Sequence, residues 1–154
     1  MALTKSQRQN LFNRFGGKCA YCGCDLPLRW HADHFEPVER APDYSADNPF
    51  KTWKPTRPDR DVISNMMPSC PPCNIDKHSM NLESWRTWLQ TRLEALCKTP
   101  GFKLLSAHGL VKTTGAPIVF HFERLERAAG VSAGTAPNWY TDFVDQQIAD
   151  GATP

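Results

Sequence analysis

The first regular pattern along the chain is an apolar face at helical spacing, carried by Leu11, Phe12 and Phe15. Ahead of it Thr4 and Gln7 stand in the arrangement that satisfies backbone N–H groups at a helix start, and Gly16-Gly17 come after it as its stop. Residues 29–38, "RWHADHFEPV", set aromatic and branched residues around a short polar centre and predict a strand running into a turn at Pro37. Residues 41–58 contain four prolines among Asp, Asn and Ser, which excludes a regular element longer than a turn or two. Residues 61–68 predict a short second strand or an extended segment leading to Cys70. Asn81 then caps a helix that puts Leu82, Trp85, Leu89, Leu93 and Leu96 near one face and stops at Pro100-Gly101. That stripe reads as core rather than as a cofactor site. In residues 110–123, Ile118, Phe120 and Phe122 alternate with Val119, His121 and Glu123, predicting a β-hairpin over one side of the core. Beyond Arg127 small and polar residues predict a tail, in which "NWYTDFVDQQI" is suited to a short helix.

Composition adds scale. A chain of 154 residues with 40% hydrophobic content builds one domain with a genuine core and appendages. No apolar run is long enough to span a membrane, and "MALTKSQRQN" has no hydrophobic segment behind it, so the expected location is the cytosol with no membrane partner. A net charge of +2 permits a nucleic-acid partner without arguing for one. Locally, "FKTWKPTRPDR" carries Lys51, Lys54, Arg57 and Arg60 around Trp53. This is either a solvated Pro-rich loop or a nucleic-acid contact.

The cysteines change the picture most. "CAYCGC" and "CPPC" provide two Cys-x-x-Cys turns, at Cys19 and Cys22 and at Cys70 and Cys73. Each turn presents two thiolates suitably spaced for one tetrahedral ion, and in a reducing compartment the pairs are more naturally two halves of a structural zinc site than redox centres or disulfides. Cys24 is an alternative to Cys22 with poorer spacing, and Cys97 reads as a small buried hydrophobe. Between and after the pairs lie "HADHFEP" and "CNIDKHS". Asp33 is a hard oxygen ligand, His34 a base that works near neutral pH, and Asn74 and His78 stand at i and i+4 at the start of a helix.

Taken in order, "CAYC", "ADHFEP" and "SNMMPSCPPCNIDKH" resemble the HNH endonucleases of the His-Me finger, or ββα-metal, group. The resemblance covers roughly residues 19–78, and the helical "TKSQRQNLFNRF" before it is also a common lead-in of phage and bacterial members. It implies an α+β fold: a ββα-metal finger stabilised by a four-cysteine zinc site, flanked by the N-terminal helix, the long helix and the C-terminal hairpin. The nuclease domain would occupy residues 1–127, with its motif at 19–78 and supporting helix and hairpin at 81–123, leaving 128–154 as the tail.

Carried over residue by residue, the resemblance makes His34 the general base and Asp33 a metal ligand. Asn65 matches the asparagine that steadies the loop and the base, Asn74 the second metal ligand, and His78 a ligand found in some members only. Asn at position 74, where other members carry His, is a tolerated variation. Lys77 would be a phosphate contact or a solvated helix lysine, and Lys51, Lys54 and Arg57 would join it against DNA; nothing in the family pattern assigns the 41–58 segment. The implied activity is hydrolysis of double-stranded DNA by His-activated water and one Mg²⁺ or Mn²⁺ ion distinct from the structural Zn²⁺, leaving 5′-phosphate and 3′-hydroxyl. Such a protein would act as a monomer or dimer, alone or within larger phage or mobile-element machinery. The alternative is a zinc-stabilised nucleic-acid-binding module without catalysis.

Overall fold

The computed structural model describes residues 2–44 and 52–130. It is a mixed α/β chain, and its site depends on how a few short segments close around the cysteines. Helix α1 (Lys5–Arg14) begins as its sequence dictates: the Gln7 N–H donates to Thr4 Oγ1 at 3.2 Å, and the Thr4 N–H to Gln7 Oε1 at 2.9 Å. Leu11 and, just past the helix, Phe15 enter the core. The first cysteine turn comes next, closed by the Cys19 N–H donating to the Cys24 carbonyl at 2.8 Å. Gly23 sits in that turn at φ +80°, and a Cβ there would lie 3.1 Å from the His121 ring, so only glycine suits both the backbone and the space.

Strand β1 (His31–His34) leads out of the turn and toward a second, three-residue strand, β2 (Arg40–Pro42), which pairs antiparallel with β3 (Trp53–Pro55). The 41–58 stretch is thus a small hairpin base rather than loop throughout. Its prolines confine the pairing to three residues without preventing it. Strand β4 (Met66–Ser69), buried at every position, pairs antiparallel with β1 so that Asp33 faces Met67 and His34 faces Met66. Helix α2 (Pro71–Lys77) starts directly after Cys70 with proline in its first turn, where no N–H is needed, and packs against β1. A strand–strand–helix unit results.

Helix α3 (Leu82–Lys98) opens with the Asn81 side chain accepting from the Ser84 N–H at 2.8 Å. The expected core stripe holds for only its first half. Leu82 and Trp85 are buried and Leu89 partly so, whereas Leu93 and Leu96 are exposed by 39% and 52%. The core reaches only the first turns of α3, and beyond them helix α4 (Pro100–Ala107) is the neighbour. Pro100-Gly101 does not end the helical region: Thr99 caps the next helix and Pro100 occupies its first position. Cys97 is half-buried rather than buried.

The predicted C-terminal hairpin needs correction. Residues 111–120 form no strand, and helix α5 (His121–Ala128) takes the place of the second arm. The alternation of Phe120 and Phe122 reflects two residues at the cap and first turn of a helix that both plunge into the core, 3% and 5% exposed. Helical N–H groups at this end find partners in the cysteine turn: His121 donates to the Tyr21 carbonyl and Phe122 to the Ala20 carbonyl, both at 2.8 Å. Glu123 takes the Phe120 N–H at 2.8 Å and pairs with Arg86 of α3 at 2.5 Å. The expected tail helix lies outside the described residues. Among the described residues no helix is long and apolar enough to cross a membrane.

Trp85 is the hub of the core. It stacks on Phe120 at 5.0 Å, meets Tyr21 edge-on at 5.1 Å, and donates its Nε1–H to Asp76 at 2.8 Å. Trp85→Ala is expected to lower unfolding free energy by about 3–5 kcal/mol. Urea denaturation in zinc-containing buffer checks this, with Leu96→Ala, at an exposed position, as a near-neutral control.

Candidate functional site

Two cysteine turns, one ahead of β1 and one at the junction of β4 and α2, meet. Cys19 and Cys22 come from the turn before β1, and Cys70 and Cys73 from the start of α2; their four sulfurs all lie within 4.8 Å of one another. Cys22 and Cys70 sulfurs are 3.8 Å apart. Four sulfurs about 2.3 Å from one ion make a tetrahedron with edges of about 3.8 Å, so the quartet has the dimensions of a structural metal site such as that of zinc. Cys24 stays outside it, its carbonyl used to close the turn. The electrostatics point the same way. Hydrogen bonding from the Cys73 thiol lowers the Cys19 pKa, while that same hydrogen bond, then burial and the neighbouring thiolate charge, raise that of Cys73, so one thiolate in the cluster discourages the next. A divalent cation removes that conflict.

Beside the quartet, β1 and α2 open onto a cleft of about 700 Å³ whose walls include Asp33, His34, Asn74 and His78, with Arg40 and Trp53 of the β2–β3 hairpin at the far side. Four of the residues singled out by sequence therefore share one cavity. Asp33 is 8% exposed, and its Oδ2 accepts from the Tyr21 hydroxyl at 2.5 Å and lies 3.1 Å from Lys77 Nζ. Both interactions use one oxygen, which leaves Oδ1 for a ligand. His34 Nε2 lies 2.9 Å from Asp61 Oδ1. Asn65 does not line the cleft. Its amide donates to the Glu36 and Arg60 carbonyls, both at 2.8 Å, and its Oδ1 accepts from the Glu36 N–H at 2.9 Å, tying the turn after β1 to the turn before β4.

His78 ends α2 at φ +50°, a backbone conformation unusual for any residue but glycine, and its Nδ1 is 2.9 Å from the Ser79 hydroxyl. Among the described residues Asp33, His34 and His78 do not form a second cluster comparable with the cysteine quartet. The Asp33 carboxylate, the Asn74 amide and the His78 ring nonetheless line the same cleft.

Lys77 corrects an expectation. It is neither a phosphate contact nor a solvated lysine: it is 0% exposed, donates to the His34 carbonyl at 2.7 Å and pairs with Asp33. Lys54 and Arg57 are exposed but paired, with Asp43 at 2.7 Å and Asp59 at 3.0 Å, so contact with DNA would require them to change partners. Lys51 lies outside the described residues. Sequence reasoning missed Tyr21, Asp61 and the buried role of Lys77. The tyrosine sits inside "CAYC", and the lysine stands one helical turn after Asn74, but only the fold reveals that both meet Asp33. No protein-family model, curated protein or solved structure matches the chain.

This geometry has two testable outcomes. Cys70→Ser is expected to lower bound zinc and stability together, since structural zinc sites contribute about 10–16 kcal/mol in model peptides, more than most domains have to spare. Metal analysis beside a thermal melt checks it, and EDTA should unfold the wild type. Lys77→Met is expected to lose about 3–5 kcal/mol by stranding the Asp33 carboxylate, and Asp33→Asn in the same chain to recover much of that loss. A double-mutant cycle in urea measures the coupling.

Proposed function

We propose that the protein is a metal-dependent DNA endonuclease of the HNH, ββα-metal type. The observation that carries this reading is the single cleft in which a strand presents Asp33 and His34 opposite Asn74 on the following helix. The resemblance of "ADHFEP" and "SNMMPSCPPCNIDKH" to that group supports it further.

A phosphodiester resists hydrolysis until water is deprotonated and the developing negative charge is met. Neutral His34 accepts the proton, a contribution on the order of 10²- to 10⁴-fold in rate. Asp33 and Asn74, which line the same cleft, would hold a divalent cation through oxygen, and His78, also on its wall, would add a nitrogen donor for a softer ion. When bound, that cation supplies Lewis-acid charge to the scissile phosphate and the departing 3′ oxygen. Lys77 and Tyr21 hold the nearly buried Asp33 carboxylate in one orientation at the wall of the cleft. Asn65 keeps the two turns beside His34 in register. The cysteine quartet, with zinc in it, keeps the start of α2 against the turn that precedes β1, so that strand and helix face each other across the substrate.

One such cleft serves one strand, so the first product is a nick with 5′-phosphate and 3′-hydroxyl ends. The cell interior, as a DNA-containing compartment, is the proposed place of action. Wild-type protein is expected to relax supercoiled plasmid with Mg²⁺ or Mn²⁺ and not with EDTA. His34→Ala is expected to lose at least about 10²-fold of that rate while keeping its melt and zinc content. A zinc-loaded protein that binds DNA but fails to cleave it, whichever divalent metal is added, would instead be the binding module without catalysis.

A further inference from the structure

The carboxylate of Asp61 reaches His34 from a turn that has no place in the motif. We propose that Asp61 is the positioning residue of His34, fixing which ring nitrogen carries the proton and which faces the substrate; this rests on the reading of His34 as the base.

A neutral imidazole has one donor and one acceptor nitrogen, and an ionised carboxylate only accepts. With His34 Nε2 2.9 Å from Asp61 Oδ1, the proton must sit on Nε2, and Nδ1 is left as the acceptor. That is the tautomer a general base needs when its second nitrogen is turned to water.

The geometry is built rather than incidental. The imidazole stands on β1, whose register with β4 is set by backbone pairing at His34 and Met66. Asp61 closes a 3₁₀ turn (Pro58–Arg60) through its N–H to the Pro58 carbonyl at 3.0 Å. The preceding residue, Arg60, donates to the Pro37 carbonyl at 2.9 Å and to Glu39 at 3.1 Å, anchoring the turn to the segment after β1. Asn65 then holds the Arg60 carbonyl and both backbone groups of Glu36. Asn65 thus acts on the base at one remove, by setting where Asp61 stands. Both partners are partly shielded, His34 at 26% and Asp61 at 35% side-chain exposure, so their hydrogen bond is weakened less by competing water than a surface pair would be.

The test reads the ring directly. Long-range ¹H–¹⁵N correlation spectra of zinc-loaded, ring-labelled wild type, at a pH where His34 is neutral, are expected to show the Nε2–H tautomer; a predominantly Nδ1–H ring overturns the proposal without any variant. Asp61→Asn is expected to mix the tautomers and lower plasmid nicking by about 10²-fold or more, with duplex affinity within about twofold of wild type and an unchanged melt. Asp61→Glu should recover a substantial part of the rate. An Asp61→Asn protein with an unshifted ring spectrum and full activity sinks the idea. Should His34→Ala cleave normally, the reading of His34 as base fails, and the tautomer spectrum still decides whether Asp61 orients the ring.

Discussion

Four thiols within 4.8 Å of one another form the constraint on which the fold rests. They cannot all ionise without a cation among them, and as neutral thiols they are poor glue. Once a metal joins them, they weld the turn before β1 to the first turn of α2. Much else hangs from that weld. The cysteine turn offers its carbonyls to the start of α5, while Ala20 donates to the Pro68 carbonyl and so attaches the turn to β4. The apolar core is modest, centred on Tyr21, Met67, Trp85, Phe120 and Phe122, and it is packed around the cysteine turns rather than apart from them.

The second organising feature is ionic. Asp33 and Lys77 are taken almost wholly out of water, a large desolvation penalty that their pairing offsets only with help. The help is specific: Tyr21 donates to the carboxylate, and the His34 carbonyl takes another ammonium proton. An apolar pair of similar volume would pack as well. What it would not provide is a carboxylate oxygen at the wall of a cleft, held still by groups on separate segments. Lys77 thereby links the last turn of α2 to the strand that bears His34, so the two walls of the cleft share one hydrogen-bond network.

Local chemistry was legible in the sequence where a few neighbouring residues decide it. Thr4 with Gln7, Asn81 before its helix, and the paired cysteine turns all behave as their spacing requires, because caps and turns are settled within four residues. Asp33, His34, Asn74 and His78 also come to one cleft as their pattern suggested. The misreadings share a cause. Phe120 and Phe122 alternate like a strand because the cysteine turn offers carbonyls to a helix start there, and Leu93 and Leu96 look like core until one knows how small the core is. A lysine reads as exposed in any one-dimensional view, and nothing near Asp61 in sequence announces a histidine 27 residues earlier.

The backbone at His78 carries one more consequence. At φ +50° and ψ −125° a glycine would relax the end of α2, and a non-glycine residue there stores on the order of 1–3 kcal/mol of strain. The chain keeps an imidazole at that point, among the residues that line the cleft, and forgoes the sturdier helix end. His78→Gly would relieve that strain and remove the imidazole from the cleft wall in one step, so at this position the sturdier helix end and the imidazole exclude one another.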